Sequence, residues 1–166
     1  GDLVRKIMGS YGGVLPTTAL MSKDRGDDHA TEIMNLRGKR LVVSSEVPEG
    51  GYWHEARLKE FTGDETLQGR YMRQDWVSFA RTHKHLIYGN HQPQLRNVEQ
   101  AIQSRFRMVP FNVSFVGRED PDLPKKLWDE APYVLFWLLE GHRMWRENNK
   151  RLPSCAAVDG AAQEYF

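Results

Sequence analysis

Polar residues suited to nucleotide chemistry follow two apolar runs of this sequence. The run Leu41–Ser45 is followed by Glu46, whose carboxylate can bind Mg²⁺, directly or through water, or orient the water that attacks a γ-phosphate. The run His85–Tyr88 leads through Gly89 to Asn90, a neutral amide that can hold the same water without competing for the metal. An acid or an amide that merely ends a strand has the same pattern, so each motif alone leaves a purely structural role open.

Two arginines precede a third apolar run. Arg105 and Arg107 stand on either side of Phe106, at the start of the segment Phe106–Val109 that Pro110 ends. An arginine in this position can serve as an arginine finger, whose guanidinium stabilises the charge that develops on a transferred phosphoryl group. An ordinary arginine at the edge of a strand is the alternative.

The charge of the chain is unevenly distributed, although its net charge is only +1. Residues 70–107 carry 7 basic and 2 acidic side chains, whereas the segments on either side are both net negative. This predicts a local anion-binding surface, with a solvated arginine-rich strand face as the alternative. Within the segment, Arg70 and Arg73 offer charge to phosphates, and Trp76 offers either a ring for stacking on a base or a side chain for the core.

The elements that would position these residues alternate in type, which predicts an α/β protein. Buried strands are predicted at Leu41–Ser45, His85–Tyr88 and Phe106–Val109, and a hairpin at Gln68–Tyr71 with Val77–Ala80. Helices are predicted at Leu3–Met8, Asp28–Leu36, Tyr52–Phe61, Val98–Gln103, Pro121–Glu130 and Tyr133–Glu147, and at Ser154–Tyr165 with Ser154 as its cap. Because ligand groups gather at the carboxyl ends of parallel strands, we expect Glu46 and Asn90 to share one edge of the sheet.

Composition excludes several classes of protein. A chain of 166 residues with 40% hydrophobic and 27% charged residues is neither disordered nor collagen-like, and it is long enough for one ordinary domain. The sequence has no apolar run near the ~18 residues of a membrane span and no secretory signal. The single cysteine, Cys155, excludes a disulfide framework and favours a reducing compartment, so we expect a cytoplasmic protein without a membrane partner.

Taken in order, these motifs resemble the superfamily 3 helicases, in particular the helicase domain of phage and plasmid primase-helicases. The ordered set is far more specific than any single member. The matching segments are Arg40–Glu46, Leu58–Asp64, Gly89–Pro93, Ser104–Phe111, Asp120–Leu123, Ala131–Pro132 and Trp137–Gly141. The resemblance covers residues 1–150, which we expect to form a partial helicase core, with residues 151–166 as a linker and a short C-terminal helix.

The resemblance implies an AAA+-like P-loop NTPase core, in which a parallel sheet is flanked by helices and carries an inserted β-hairpin. It implies that ATP and Mg²⁺ bind there and that hydrolysis drives DNA unwinding in a ring, usually a hexamer, during phage or prophage replication. Glu46 would be the Walker B acid and magnesium ligand, and Asn90 the sensor. Arg105 would be the finger given to the neighbouring subunit, with Arg107 as the rival nucleotide-binding arginine.

The resemblance also implies a surface for single-stranded or forked DNA. Lys59 lies at the start of the family's B′ motif, and the hairpin would be the loop that tracks DNA in the central channel. The implied nucleic-acid-binding residues are Lys59, Arg70, Arg73 and Trp76.

The sequence departs from the family at one essential motif. The phosphate-binding loop Gly-x-x-x-x-Gly-Lys-Ser/Thr does not occur, and the glycines Gly9 and Gly12–Gly13 have no Gly-Lys-Ser after them. By the resemblance, Asp2–Met8 is the later part of the helix behind that loop, so we expect an N-terminally incomplete core that is inactive alone. Two alternatives remain: a catalytically inert DNA-binding or assembly module of the same fold, and a small-molecule phosphotransferase of the same loop class.

Overall fold

A three-stranded parallel sheet organises the first part of the chain in the computed structural model, which describes residues 1–22 and 30–166. The strands in chain order are β1 (Gly12–Val14), β2 (Leu41–Ser45), β3 (Thr66–Gly69), β4 (Val77–Ala80) and β5 (Lys84–Tyr88). The parallel sheet has the order β1-β2-β5, and β3 pairs with β4 as an antiparallel hairpin. The chain is therefore α/β, as the sequence predicts.

Seven α-helices accompany these strands in the described residues. They are α1 (Asp2–Ile7), α2 (Ala30–Met34), α3 (Glu55–Gly63), α4 (Gln100–Gln103), α5 (Leu123–Asp129), α6 (Ala131–Glu147) and α7 (Ala156–Tyr165). Each predicted helix overlaps one of them, although the start of the predicted helix Asp28–Leu36 lies outside the described residues. None of the described helices has the length and apolar character that a bilayer crossing requires.

The core of the first compact unit, Gly1–Ile102, surrounds the central strand β2. Val42, Val43 and Ser44 are all buried, so both faces of β2 are covered, and β2 also has a paired strand on each side. The helix α3 contributes Leu58 and Phe61 to the buried set. A strand that is buried on both faces has a continuous apolar run in its sequence, and this run is the signal that predicts β2.

The hairpin is anchored at its base and exposed at its tip. Leu67 and Phe79 pair across β3 and β4, and both are buried. Gly69 lies so close to α2 that a β-carbon there would stand 2.9 Å from the carbonyl oxygen of Ala30, so this approach requires glycine. Residues 70–76 form the exposed connection between the strands, which confirms the predicted hairpin with β3 starting two residues earlier.

The strand β1 escapes prediction because its sequence is dominated by two glycines. A β-carbon on Gly12 would lie 2.4 Å from the carbonyl oxygen of Arg5, so the close approach of α1 selects glycine there. Glycine weakens the propensity signal of a strand. The pairing of β1 with β2 therefore depends on tertiary contacts that local pattern does not record.

The second compact unit, Gln103–Phe166, contains no buried residue, and large side chains on its helix α6 are exposed, including Phe136 and Trp137. The predicted strand Phe106–Val109 is wrong, because this segment pairs with no strand among the described residues. Phe106 instead packs its ring against those of Tyr165 and Phe166, at 6.2 and 5.9 Å between centroids.

The predicted cap of the last helix is also wrong. The residue at the N-cap position of α7 is Cys155, whose side chain makes no capping bond. Ser154 lies one residue earlier, and its hydroxyl donates to the carboxylate of Asp159 at 2.7 Å rather than accepting from the helix backbone. A hydrogen bond to an ionised carboxylate is stronger than one between neutral groups, which favours this arrangement of the hydroxyl.

A buried histidine pair joins β5 to the core. The Nε2 atoms of His83 and His85 lie 3.0 Å apart, and the ring of His85 stacks on Phe61 at 6.0 Å. Neither Nδ1 atom has a hydrogen-bond partner within the described structure. Burial, helped by the nearby charges of Arg81 and Lys84, lowers the pKa of His83 to about 4. Burial and the neighbouring His83 lower the pKa of His85 to about 3.

We expect the free energy of unfolding to decrease as the pH falls from 7.5 to 5.5. In the unfolded chain both imidazoles take up protons near pH 6.5, whereas the folded pair stays neutral until about pH 4, so acid favours the unfolded state. Two protons per chain give a slope approaching about 2.7 kcal/mol per pH unit. Urea unfolding at a series of pH values measures it.

The double variant His83→Gln/His85→Phe should flatten this slope, since it removes both imidazoles. The variant His91→Gln is the matched control, because it also removes an imidazole but from an exposed position outside the pair. A double variant as pH-sensitive as the native chain would contradict the assignment.

Candidate functional site

A cleft of about 660 Å³ lies at the carboxyl edge of the parallel sheet. The strands β2 and β5 are neighbours in register, with Ser45 beside Tyr88, so the residues that follow them emerge side by side. Glu46 and Asn90 both line the cleft, as the sequence predicts for parallel strands. Its lining is completed by Asp2, Ser45, Val47, Pro48, Glu49, Tyr88, Gly89 and His91.

Two buried hydroxyl groups fix the end of β2 that carries Glu46. The hydroxyl of Ser44 donates to the carbonyl oxygen of Leu15 at 2.7 Å, and that of Thr17 donates to the carbonyl oxygen of Ser45 at 2.5 Å. Both side chains are buried. These bonds hold the last two residues of β2, which precede Glu46, against the segment that follows β1.

The backbone of Glu46 is strained. Its φ is 60°, in the left-handed region that a residue with a β-carbon rarely adopts. Such conformations cost of order 1–3 kcal/mol and cluster at functional sites. The strand β2 ends at Ser45, and the exposed side chain of Glu46 lines the cleft.

The cleft is acidic. Asp2, Glu46 and Glu49 line it, and no lysine or arginine of the described chain does. Asp2 stands at the start of α1, where the hydroxyl of Tyr88 donates to its carboxylate at 3.4 Å. A carboxylate, an amide and water are ligands that Mg²⁺ accepts, but no group of three or more metal-ligating side chains is assembled in residues 1–22 and 30–166. The arrangement fits a cation that arrives with an anionic ligand.

The two candidate arginine fingers belong to the second unit. Arg107 is exposed, and its guanidinium donates to the carbonyl oxygen of Phe106 at 2.9 Å. Arg105 is also exposed. The approach of either arginine to Glu46, from the same chain or a neighbouring one, stays a prediction.

The hairpin tip presents cationic and aromatic groups together. The guanidinium carbon of Arg70 lies 4.9 Å from the ring centroid of Trp76, a cation–π contact. Trp76 is 58% exposed and Met72 is 83% exposed, so the alternative that Trp76 packs in the core is wrong. Arg73 sits at the turn with a φ of 61°. Charge and a ring face are available here as predicted, while nucleic-acid binding itself stays a prediction.

Lys59 is in a different setting. Its ammonium group forms an ion pair with Glu99 at 2.6 Å, on a partly exposed surface of the first unit. The carboxylate of Glu99 offsets the positive charge that Lys59 would present to a phosphate. Nucleic-acid binding by Lys59 stays a prediction, with weaker electrostatic support than Arg73 has.

The sequence alone did not identify Asp2, Glu49, Thr17 and Ser44 as parts of the site. Asp2 and Glu49 reach the cleft from α1 and from the loop after β2, and no spacing rule connects them. A hydroxyl directly before a strand-terminal acid, as in Ser44–Ser45–Glu46, is the only local signal that was present.

The sheet and its helices define the fold class: an α/β protein in which helices flank a parallel sheet. No protein-family model and no curated protein matches the chain. Among solved structures, it is similar to two apo structures of the C-terminal region (305–718) of NrS-1, a phage primase-helicase.

The likeness to NrS-1 covers 78% of this chain in both cases. One structure gives a TM-score of 0.53 with 20% identity, and the other 0.55 with 18%. The match spans only 29% and 30% of the NrS-1 chains. At such identities the likeness shows a shared fold.

The strain at Glu46 can be measured as a difference between two variants. Glu46→Gly and Glu46→Ala both remove the carboxylate, but only glycine adopts the left-handed conformation without cost. We expect Glu46→Gly to be about 1 kcal/mol more stable than Glu46→Ala in urea unfolding. Two variants of equal stability would show that the backbone at this position is relaxed.

Proposed function

We propose that this chain is part of a nucleic-acid-translocating ATPase, a DNA helicase or primase-helicase of phage or prophage replication that works as a ring, usually a hexamer, in the cytoplasm. The observation that carries the proposal is the convergence of Glu46 and Asn90 on one cleft from adjacent parallel strands. An acid and an amide so placed suit the metal and water of phosphoryl transfer.

ATP with Mg²⁺ is the proposed cofactor. When bound, Mg²⁺ neutralises charge on the phosphates and polarises them toward attack. Glu46 would hold the ion, directly or through water, and Asn90 would orient the attacking water. Because the cleft lining of the described chain is acidic, phosphates need cations from outside it, which is the role proposed for Arg105 of a neighbouring subunit, with Arg107 as the rival.

A catalytically inert DNA-binding or assembly module is the second candidate. It is favoured by the absence of the Gly-x-x-x-x-Gly-Lys-Ser/Thr loop from this sequence and by the lack of a described cation in the cleft. The gene sequence directly upstream of Gly1 separates the two candidates. A strand followed by Gly-Lys-Ser/Thr there supports the motor, and its absence supports the inert module.

The chain of residues 1–166 is expected to show no steady-state ATP hydrolysis, since it lacks the glycine-rich loop whose backbone amides and lysine would hold the phosphates. Phosphate release by the purified chain measures this, with Glu46→Gln as the control for a contaminating ATPase. Hydrolysis that Glu46→Gln abolishes would contradict the expectation.

The finger hypothesis needs the chain extended by a native loop, if the gene encodes one. Mixing subunits that carry Arg105→Ala with subunits that carry Glu46→Gln should restore part of the activity, because some interfaces then combine an intact acid with an intact arginine. Mixtures no more active than their components would exclude Arg105 as a finger acting between subunits.

Single-stranded DNA binding should depend on the hairpin tip. Arg73→Ala should lower the slope of log K against log salt by about 0.7, the value of one phosphate on a single strand. Trp76→Ala should weaken binding by about 1–3 kcal/mol and leave the slope unchanged, because stacking is not ionic. Lys125→Ala is the matched control, since Lys125 is exposed but paired with Asp129 at 2.7 Å. Salt-insensitive binding would contradict the role of the hairpin.

A further inference from the structure

Two basic segments of the chain adjoin at the amino edge of the parallel sheet, opposite the acidic cleft. The backbone N–H of Lys84 donates to the carbonyl oxygen of Arg40 at 2.9 Å, and the hydroxyl of Thr82 donates to that of Lys39 at 2.7 Å. The register pairs Leu41 with Lys84, so the starts of β2 and β5 lie side by side. Residues about forty apart in sequence are thereby brought into one surface.

We name the amino-edge patch by Lys39, Arg40 and Lys84, which lie at the starts of β2 and β5, together with Arg37 from the turn that leads into β2. Arg37, Arg40 and Lys84 are exposed, and none of them forms an ion pair with any described residue. Lys39 is partly buried and donates to the carbonyl oxygen of Ser10 at 2.9 Å. No acidic residue occurs in 37–45 or in 81–88, so the patch has no internal counterion.

The patch is continuous with the base of the hairpin. The last hairpin pair is Thr66 with Ala80, and the next residue, Arg81, donates its backbone N–H to Glu65 and its Nε to the carbonyl oxygen of Asp64 at 2.6 Å. Three residues later the chain reaches Lys84. The patch and the hairpin base are therefore three residues apart along the chain, with the exposed Asp64 and Glu65 beside Arg81 at the base.

The composition of the patch favours a polyanion over a protein partner. Protein interfaces centre on aromatic and other apolar side chains with a depletion of charge. Residues 37–40 and 81–84 contain no large aliphatic or aromatic residue other than the buried His83. Exposed cations held on paired strands, without an apolar centre, are the arrangement that neutralises phosphates.

We infer that the amino-edge patch binds the phosphodiester backbone of the same single-stranded nucleic acid whose bases meet the hairpin tip. The inference rests on the proposed function, which it extends from the hairpin to the sheet edge. The patch contributes affinity without sequence preference, because phosphate contacts carry no base information.

The test uses the 166-residue chain and a labelled oligothymidylate of 20 nucleotides, with binding followed by fluorescence anisotropy from 50 to 200 mM KCl. The triple variant Arg37→Gln/Arg40→Gln/Lys84→Gln should lower the slope of log K against log salt by about two, from about 0.7 per phosphate. From 50 to 200 mM KCl, the factor by which the native chain loses affinity should then be about 16 times the factor for the variant.

The matched control is Lys125→Gln/Lys126→Gln/Arg143→Gln, which removes the same charge from exposed cations that already have acidic partners. It should leave the slope within about 0.3 of the native value, since paired cations release few counterions. If both variants lowered the slope of log K against log salt equally, the change would reflect only the net charge of the chain. That result would overturn the inference.

The hairpin variant Arg70→Gln/Arg73→Gln separates this inference from the proposed function. If it weakens binding while the triple variant does not alter the slope, the hairpin role stands and the patch is overturned. Undetectable binding by the native chain overturns both. If the triple variant instead loses self-association in sedimentation, with binding intact, the patch contacts another copy of the chain and the inference fails.

Discussion

The in-register parallel pairing of β2 with β5 is the constraint on which the rest of the molecule depends. Parallel strands have the same polarity, so their starts meet at one edge and their ends at the other. Glu46 and Asn90 therefore face one cleft, while Arg40 and Lys84 share the opposite edge. If β5 slipped along β2, both pairs, Glu46 with Asn90 and Arg40 with Lys84, would lose their alignment together. The sheet thus carries an acidic edge and a basic edge for a single structural reason.

Both members of this pairing are held by polar groups that the core has to accommodate. The end of β2 is fixed by the hydroxyls of Ser44 and Thr17. At the start of β5, His83 and His85 share a hydrogen bond and the ring of His85 stacks on Phe61. Each polar group is costly to bury unless it is bonded, and the Nδ1 atoms of the two histidines lack a described partner. These buried Nδ1 atoms and the left-handed backbone of Glu46 are both unfavourable in free energy. They occur next to the amino and carboxyl edges of the parallel sheet.

Sequence patterns predicted the elements whose own residues carry the signal for their structure. The strand β2 is a continuous apolar run, and the hairpin shows an exposed turn between two short strands, so both were identified with nearly correct limits. The strand β1 was missed because Gly12 and Gly13 are selected by packing. Phe106–Val109 was predicted as a strand because its residues suit one, but a strand needs a paired edge, and propensity cannot supply that. The significance of Asp2 and Arg40 follows only from the structure, which places Asp2 at the cleft and Arg40 beside Lys84 at the opposite edge.

The acidic cleft also limits what the described residues can do by themselves. A pair of like unit charges 4 Å apart costs on the order of 4 kcal/mol at an effective dielectric constant of 20, and a triphosphate would face Asp2, Glu46 and Glu49 together. In the proposed function, a magnesium ion would offset part of this repulsion, and cationic side chains from outside the described lining would offset the rest. The charge of the cleft therefore makes the proposed nucleotide binding depend on cations that the described lining does not supply, because phosphates and carboxylates repel each other.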